Sequence, residues 1–168
     1  LTTLLTQPAT EIFLHANWGW YEPAIGVNYG YYQNDYWRQF EETLEAFSRA
    51  GKKINVIGSF PVWNPTLPQR LAKFFRVNGN VPETLNLPEI PAVTSVDAKL
   101  KDVTLRTGHR FISVLDDLCP DKSCRVIIKG KEGKQVLLQW DSIHPTREGG
   151  ALISRQILKN FEQNQSFP

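Results

Sequence analysis

The sequence predicts an α/β fold built on a parallel sheet, and three observations predict it. Residues 11–14 and 54–57 are short apolar runs separated by one amphipathic stretch, which makes a βαβ unit whose connection should be right-handed. A second helical stripe, Val96, Leu100 and Val103, precedes another apolar run at 110–115. Near the end, Val136-Leu137-Leu138 leads through a polar turn into a last amphipathic segment, and the ends of strands are where open α/β sheets place their sites.

The 168 residues suffice for one domain with a substantial core, with 41% hydrophobic and 21% charged residues as in an ordinary globular protein. Nineteen Lys and Arg against seventeen Asp and Glu leave a net charge of only +2, scattered along the chain. That is no nucleic-acid footprint, although rings that could stack on bases are present. No apolar run approaches the roughly 20 residues that cross a bilayer, and no charged segment followed by an apolar one opens the chain. There is no Met, and the chain starts at Leu1, as expected of a processed chain or a piece of a longer one.

In chain order, residues 1–7 read as the tail of a helix or a linker, and Pro8 breaks it before the strand at 11–14. Residues 19–37 are dense in rings, among them Trp20, Tyr21, Tyr29, Tyr31, Tyr32, Tyr36 and Trp37, interleaved with Gly, Asn and Pro. Flat rings with polar edges could form a sugar-binding surface, or they could simply pack a long loop onto the domain. From 34 to 50, Tyr36, Trp37, Phe40, Leu44 and Phe47 recur every three or four positions, and Gly51 stops the helix.

After the strand at 54–57 and the turn Gly58-Ser59-Phe60-Pro61, the Pro-rich stretch 61–94 should be largely irregular, with one short helix at 69–76 and no recognisable chemistry. Ser95 can cap the helix that Gly108 closes. Residues 124–129 and 135–140 read as a hairpin turning at 130–133, and 147–163 as a helix with Leu152, Ile153, Ile157, Leu158 and Phe161 inward. Cys119 and Cys124 enclose Pro-Asp-Lys-Ser, a spacing open to a small disulfide loop in an oxidising compartment or to two free thiols.

The chemistry concentrates in Asp141-Ser142-Ile143-His144. An Asp three residues before a His can accept the Nδ1 proton, which sets the tautomer and leaves Nε2 as a general base. The alternative is an Asp that caps a turn beside an ordinary surface His. His15 and His109 lack the company that would make them metal ligands, so no metal site is expected.

With His15-Ala16-Asn17-Trp18 after the first strand, Gly58-x-x-Pro61 after the next, the Cys119/Cys124 pair before a hairpin, and Asp141-x-x-His144 before Thr146 and Gly149-Gly150-Ala151, the chain resembles the SGNH hydrolase superfamily, the GDSL-type esterases. Within it, it is most similar to the SGNH domain that is fused to, or works with, membrane acyltransferases that O-acetylate cell-surface polysaccharides.

The likeness spans nearly the whole chain and implies a three-layer, flavodoxin-like sandwich of which these residues form the C-terminal portion as a single domain over 1–168. It implies a Ser-His-Asp triad with Asp141 and His144 as catalytic members. Asn17 falls on the oxyanion-hole Asn of the Gly-x-Asn-Asp block, with His15 in place of the Gly and Trp18 in place of the Asp. The family's nucleophile lies in a Gly-Asp-Ser block before the Asn block, and no such block occurs here, so the serine is expected upstream. Ser59 and Ser142 are minor candidates.

Trp18, Trp20 and Tyr21 are the expected substrate-binding rings. The implied partners are a carbohydrate and an acyl donor, with a membrane acyltransferase domain, in the periplasm or otherwise outside the cytoplasm, and without cofactor or nucleic acid. The competing readings are a non-catalytic carbohydrate-binding or assembly module, and an intracellular hydrolase with free thiols.

Overall fold

The computed structural model describes residues 2–18 and 35–165. A short helix α1 (Thr2–Thr6) leads to β1 (Glu11–Leu14), α2 (Tyr36–Arg49) and β2 (Lys53–Ile57). Next come α3 (Leu67–Asn78), β3 (Thr84–Asn86), α4 (Ile90–Arg106), β4 (Arg110–Ile112) and a one-turn α5 (Leu115–Leu118). Three short strands, β5 (Ser123–Arg125), β6 (Ile127–Lys129) and β7 (Gln135–Leu137), precede the long α6 (Arg147–Gln165).

The central sheet is parallel, in the order β1-β2-β4, with Phe13 opposite Asn55 and Val56 opposite Phe111. Helices cover both of its faces, as in a flavodoxin-like sandwich. On one side α2 and α4 supply Phe40, Leu44, Phe47, Val93, Val96 and Leu100, all buried, as their three- and four-residue spacings predict. On the other side lies α6, whose Phe161 meets Phe13 of β1 at 5.1 Å and lies beneath the Arg110 guanidinium of β4 at 4.7 Å. The middle strand β2 is buried on both faces from Ile54 to Ile57, which suits its apolar residues, while the one polar member, Asn55, meets Glu11 and Arg110.

Several elements differ from the sequence expectations. The hairpin expected over 124–129 and 135–140 forms only between β6 and β7, which pair antiparallel with Ile128 opposite Val136 in a ribbon separate from the parallel sheet. Residues 124 and 125, expected to belong to that hairpin, pair instead with β3, a strand that the Pro-rich reading of 61–94 had not anticipated. That is a choice of partner, which alternation within one strand cannot specify.

The helix expected at 69–76 runs from Leu67 to Asn78, because Thr66 and Gln69 form a reciprocal capping box and Pro68 sits in the first turn, where a missing N–H costs nothing. By the same logic Pro91 starts α4 at Ile90 instead of at Ser95. Cys119 and Cys124 form a disulfide that closes the turn between α5 and β5.

His109 is a buried structural residue. It donates from Nε2 to the Leu44 carbonyl at 2.7 Å and accepts at Nδ1 from Ile54 N at 3.3 Å, which ties α2 to β2.

Candidate functional site

The turn that carries the chemistry is assembled mostly by local hydrogen bonds. Asp141 Oδ1 accepts from the backbone N–H groups of Ile143 at 2.8 Å and His144 at 2.7 Å, while Oδ2 takes the Nδ1 proton of His144 at 2.6 Å. One carboxylate therefore folds the turn and orients the ring in it. Partial burial pulls the Asp141 carboxyl upward, but the two backbone donors and the imidazole outweigh it, and its pKa lies below the usual value. The His144 side chain is 60% exposed and stacks on Trp140 at 5.5 Å, and with Nδ1 engaged by Asp141 its Nε2 makes no hydrogen bond to a described residue.

Long-range bonds hold the turn against the body of the domain. Trp63 N donates to Ser142 O at 2.9 Å, and the isolated bridge of Gln139 with Pro145 closes the base of the turn. Below it, the fully buried Gln139 accepts from Trp63 Nε1 at 2.8 Å and donates to Pro61 O at 2.9 Å. Both polar ends of this buried amide are thus satisfied. On the C-terminal side, Thr146 donates to Leu137 O at 2.7 Å and accepts from Gly149 N at 3.0 Å, capping α6 while pinning it to β7. The 61–67 segment, which showed no chemistry of its own in the sequence, is therefore what seats the Asp-x-x-His turn. A buried Gln beside a Trp carries no pattern that would have revealed it.

A cavity of about 380 Å³ lies in front of His144, lined by His15, Asn17 and Trp18 from the end of β1, by Ser59, Phe60, Pro61 and Val62 after β2, by Val93 of α4, and by Ile143 and Pro145. Residues from opposite ends of the chain, Asn17 and His144, thus share one wall system. Asn17 Nδ2 is buried and has no hydrogen-bond partner, a donor turned toward no protein acceptor. The Ser59 hydroxyl is buried on the Asp97 side, close to that carboxyl but outside good hydrogen-bond geometry, and it makes no hydrogen bond to His144.

Trp18, expected to be a substrate-binding ring, is a core residue. It is 3% exposed, donates from Nε1 to Ile57 O at 2.7 Å and packs edge-on against Phe40 at 5.3 Å, so it lines the cavity from within the core and not as an open ring platform. Trp20 and Tyr21 lie outside the described residues. His15 stacks on Phe60 at 4.3 Å, and burial of the ring lowers its pKa, partly opposed by the Ile57 carbonyl, although the residue as a whole is exposed. Ser142 offers its carbonyl to Trp63 and has no part in the dyad's hydrogen bonds. Among the described residues no group of three or more His, Cys, Asp or Glu is placed to hold a metal ion.

Behind the cavity, Asp97 of α4 accepts from Ser59 N at 2.6 Å and is 8% exposed. It comes this close only because residue 58 is Gly: a Cβ there would lie 2.9 Å from Asp97 Oδ2 and from the Phe111 ring. Burial pushes the Asp97 carboxyl up, against the pull of the Ser59 N–H.

Folding therefore favours the protonated form. Asp97 adds stability at the acid side of the carboxylate range, and this is lost as pH rises through the raised folded pKa. Urea unfolding between pH 4 and 7 should show wild type losing stability relative to Asp97→Asn as pH rises; parallel curves would dismiss the effect.

The chain matches a protein-family model described as the SGNH domain (fused to AT3 domains), over residues 2–159. Among solved structures it is similar to the periplasmic domain of a lipopolysaccharide acetyltransferase from Salmonella ser. Paratyphi A, with a TM-score of 0.61 and 19% identity. The match covers 73% of this chain and 48% of that one, so the chain spans about half the length of that structure. No curated protein is significantly similar to it in sequence.

Proposed function

Since the chain belongs to the SGNH domain family, in the form described as fused to AT3 domains, we propose that it contributes the base, the orienting acid and one oxyanion donor of an acyl-transfer site acting on a cell-surface carbohydrate. The observation that carries this reading is the His144 Nδ1 to Asp141 Oδ2 bond at 2.6 Å, with Nε2 left free beside a cavity that also holds the unpartnered Asn17 amide. Acyl transfer needs this set: a base for a hydroxyl, a carboxylate to steady the imidazolium, and a donor for the negative charge that develops on the acyl oxygen.

In this mechanism His144 Nε2 takes the proton of a serine supplied by a segment outside these 168 residues. The serine oxygen attacks the acyl carbonyl, and Asn17 Nδ2 donates to the oxyanion. Collapse leaves a Ser ester and releases the donor's leaving group, which takes its proton from His144. A sugar hydroxyl, or water, then gives its proton to His144 and resolves the ester. The single domain would work beside a membrane acyltransferase domain in the periplasm, and the lipopolysaccharide acetyltransferase likeness supports acetyl as the group moved. No helix among the described residues is long and apolar enough to cross a membrane.

Asn17→Ala in the full-length protein should lower kcat for acetyl-ester turnover about 10²- to 10³-fold with little change in KM, since the donor acts on charge present only in the transition state. An unchanged kcat removes Asn17 from the site. A loss on Ser59→Ala as deep as that on His144→Ala would make Ser59 the nucleophile in place of an external serine.

A further inference from the structure

The nineteen basic residues look scattered in the sequence, yet the fold gathers five of them around one groove away from the catalytic turn. This groove, about 800 Å³, runs between the consecutive strands β5 and β6 and the first two turns of α6. Along this extended stretch Arg125, Ile127 and Lys129 alternate with buried Val126 and Ile128, so the former three share the outer face. Along α6 Arg147, Ala151 and Arg155 stand one turn apart and form the facing wall. Lys131 closes one end.

Five cations meet only two carboxylates, Glu83 and Glu148, a surplus of three positive charges where the whole chain carries +2. Elsewhere five of the six arginines, Arg38, Arg49, Arg70, Arg106 and Arg110, each reach a carboxylate, and Arg76 bonds to the Ala72 carbonyl instead. Among the described residues, Arg125, Arg147 and Arg155 reach none, and neither do Lys129 and Lys131.

Like charges held together without internal partners repel, and a ligand of opposite sign relieves this. The groove is concave and carries Ile127 and Leu152 among its cations, which suits a chain with apolar sugar faces and charged substituents better than a flat bilayer. Arg147 follows His144 by three residues, so their Cα atoms are at most about 11 Å apart.

We propose that this groove binds an acidic polysaccharide segment, through carboxylate or phosphate groups on its sugars, and so leads the acceptor glycan toward His144. That the bound glycan is the acceptor rests on the acyl-transfer reading above; the binding itself does not.

The test is binding of the full-length protein, followed by fluorescence anisotropy, to labelled polygalacturonate, phosphomannan and neutral dextran. Vesicles with and without phosphatidylglycerol are followed by sedimentation. At 50 mM salt at least one acidic polymer should bind tenfold or more tighter than dextran, and the polymer preferred identifies the charged group. Raising salt to 300 mM should erase most of that preference.

The triple variant Arg125→Gln, Lys129→Gln, Arg155→Gln should weaken acidic-polymer binding about tenfold, as three exposed charge pairs of modest strength would. All three side chains are exposed, so the fold should survive; the salt dependence of the wild type serves as a second measure that needs no variant. Equal affinity for dextran and the acidic polymers, or an unaffected triple variant, overturns the proposal. Stronger binding to phosphatidylglycerol vesicles, lost in the same variant, overturns it in favour of a membrane-facing surface. Binding is read without turnover, so absent acyl transfer would sink the catalytic reading alone.

Discussion

His144→Ala in the full-length protein should lower turnover of p-nitrophenyl acetate by about three orders of magnitude or more, since among the described residues no other group beside the cavity is set up as a base held by a carboxylate. The loss should fall on kcat, and stability should change by less than about 1 kcal/mol, because the ring is 60% exposed and its polar partner is Asp141 alone. Thermal melts of the variant and wild type separate the two effects. Undiminished turnover would remove His144 from the chemistry and leave Asp141 as a turn-former with a solvent-facing neighbour.

Gly149→Ala should be the most destabilising small substitution in this region. A Cβ at residue 149 would lie 2.0 Å from the Leu138 carbonyl oxygen, and backbone cannot swing aside as a flexible side chain does. The overpacking cost, about 3 kcal/mol or more, exceeds the roughly 1 kcal/mol that Ala gains over Gly in a helix. The melting temperature should drop by about 5–10 °C.

Because α6 and the catalytic turn share the strap from His144 to Thr146, activity should fall as well. Gly150→Ala is the internal comparison: its Cβ would meet only Pro145 Cγ, at 3.9 Å, so the gain in helix propensity should leave stability equal or higher. Equal melting temperatures for the two variants would mean that α6 can lift off β7 without cost.

Much of the molecule was legible residue by residue. The helix at Tyr36–Arg49, the strands at Glu11–Leu14 and Lys53–Ile57, and α6 follow from periodicity, because a helix or strand buries one side of its own short stretch. The pairing of Asp141 with His144 was legible for a similar reason: three residues within one turn leave a carboxylate little else to reach, and the same Asp folds the turn by accepting two of its N–H groups.

Less was legible where Pro dominates. Pro68 and Pro91 read as breakers, yet both stand in first turns, where Pro is compatible with helix, so α3 and α4 run longer than their apolar stripes suggested. Trp18 stood out as a ring beside a candidate site, and nothing local could tell that Ile57 O and Phe40 had claimed it for the core.

By itself, then, the sequence determined the alternation of helices and strands, the parallel sheet at the centre, and the carboxylate–imidazole pair, since each depends on interactions within a few residues or one crossover. Only the tertiary structure decided that β5 leaves the expected hairpin to pair with β3, that Gln139 and Trp63 seat the turn, that Asn17 arrives beside His144, and that five cations scattered along the second half of the chain face one groove. These depend on which distant surfaces bury one another, and that choice belongs to the whole core at once.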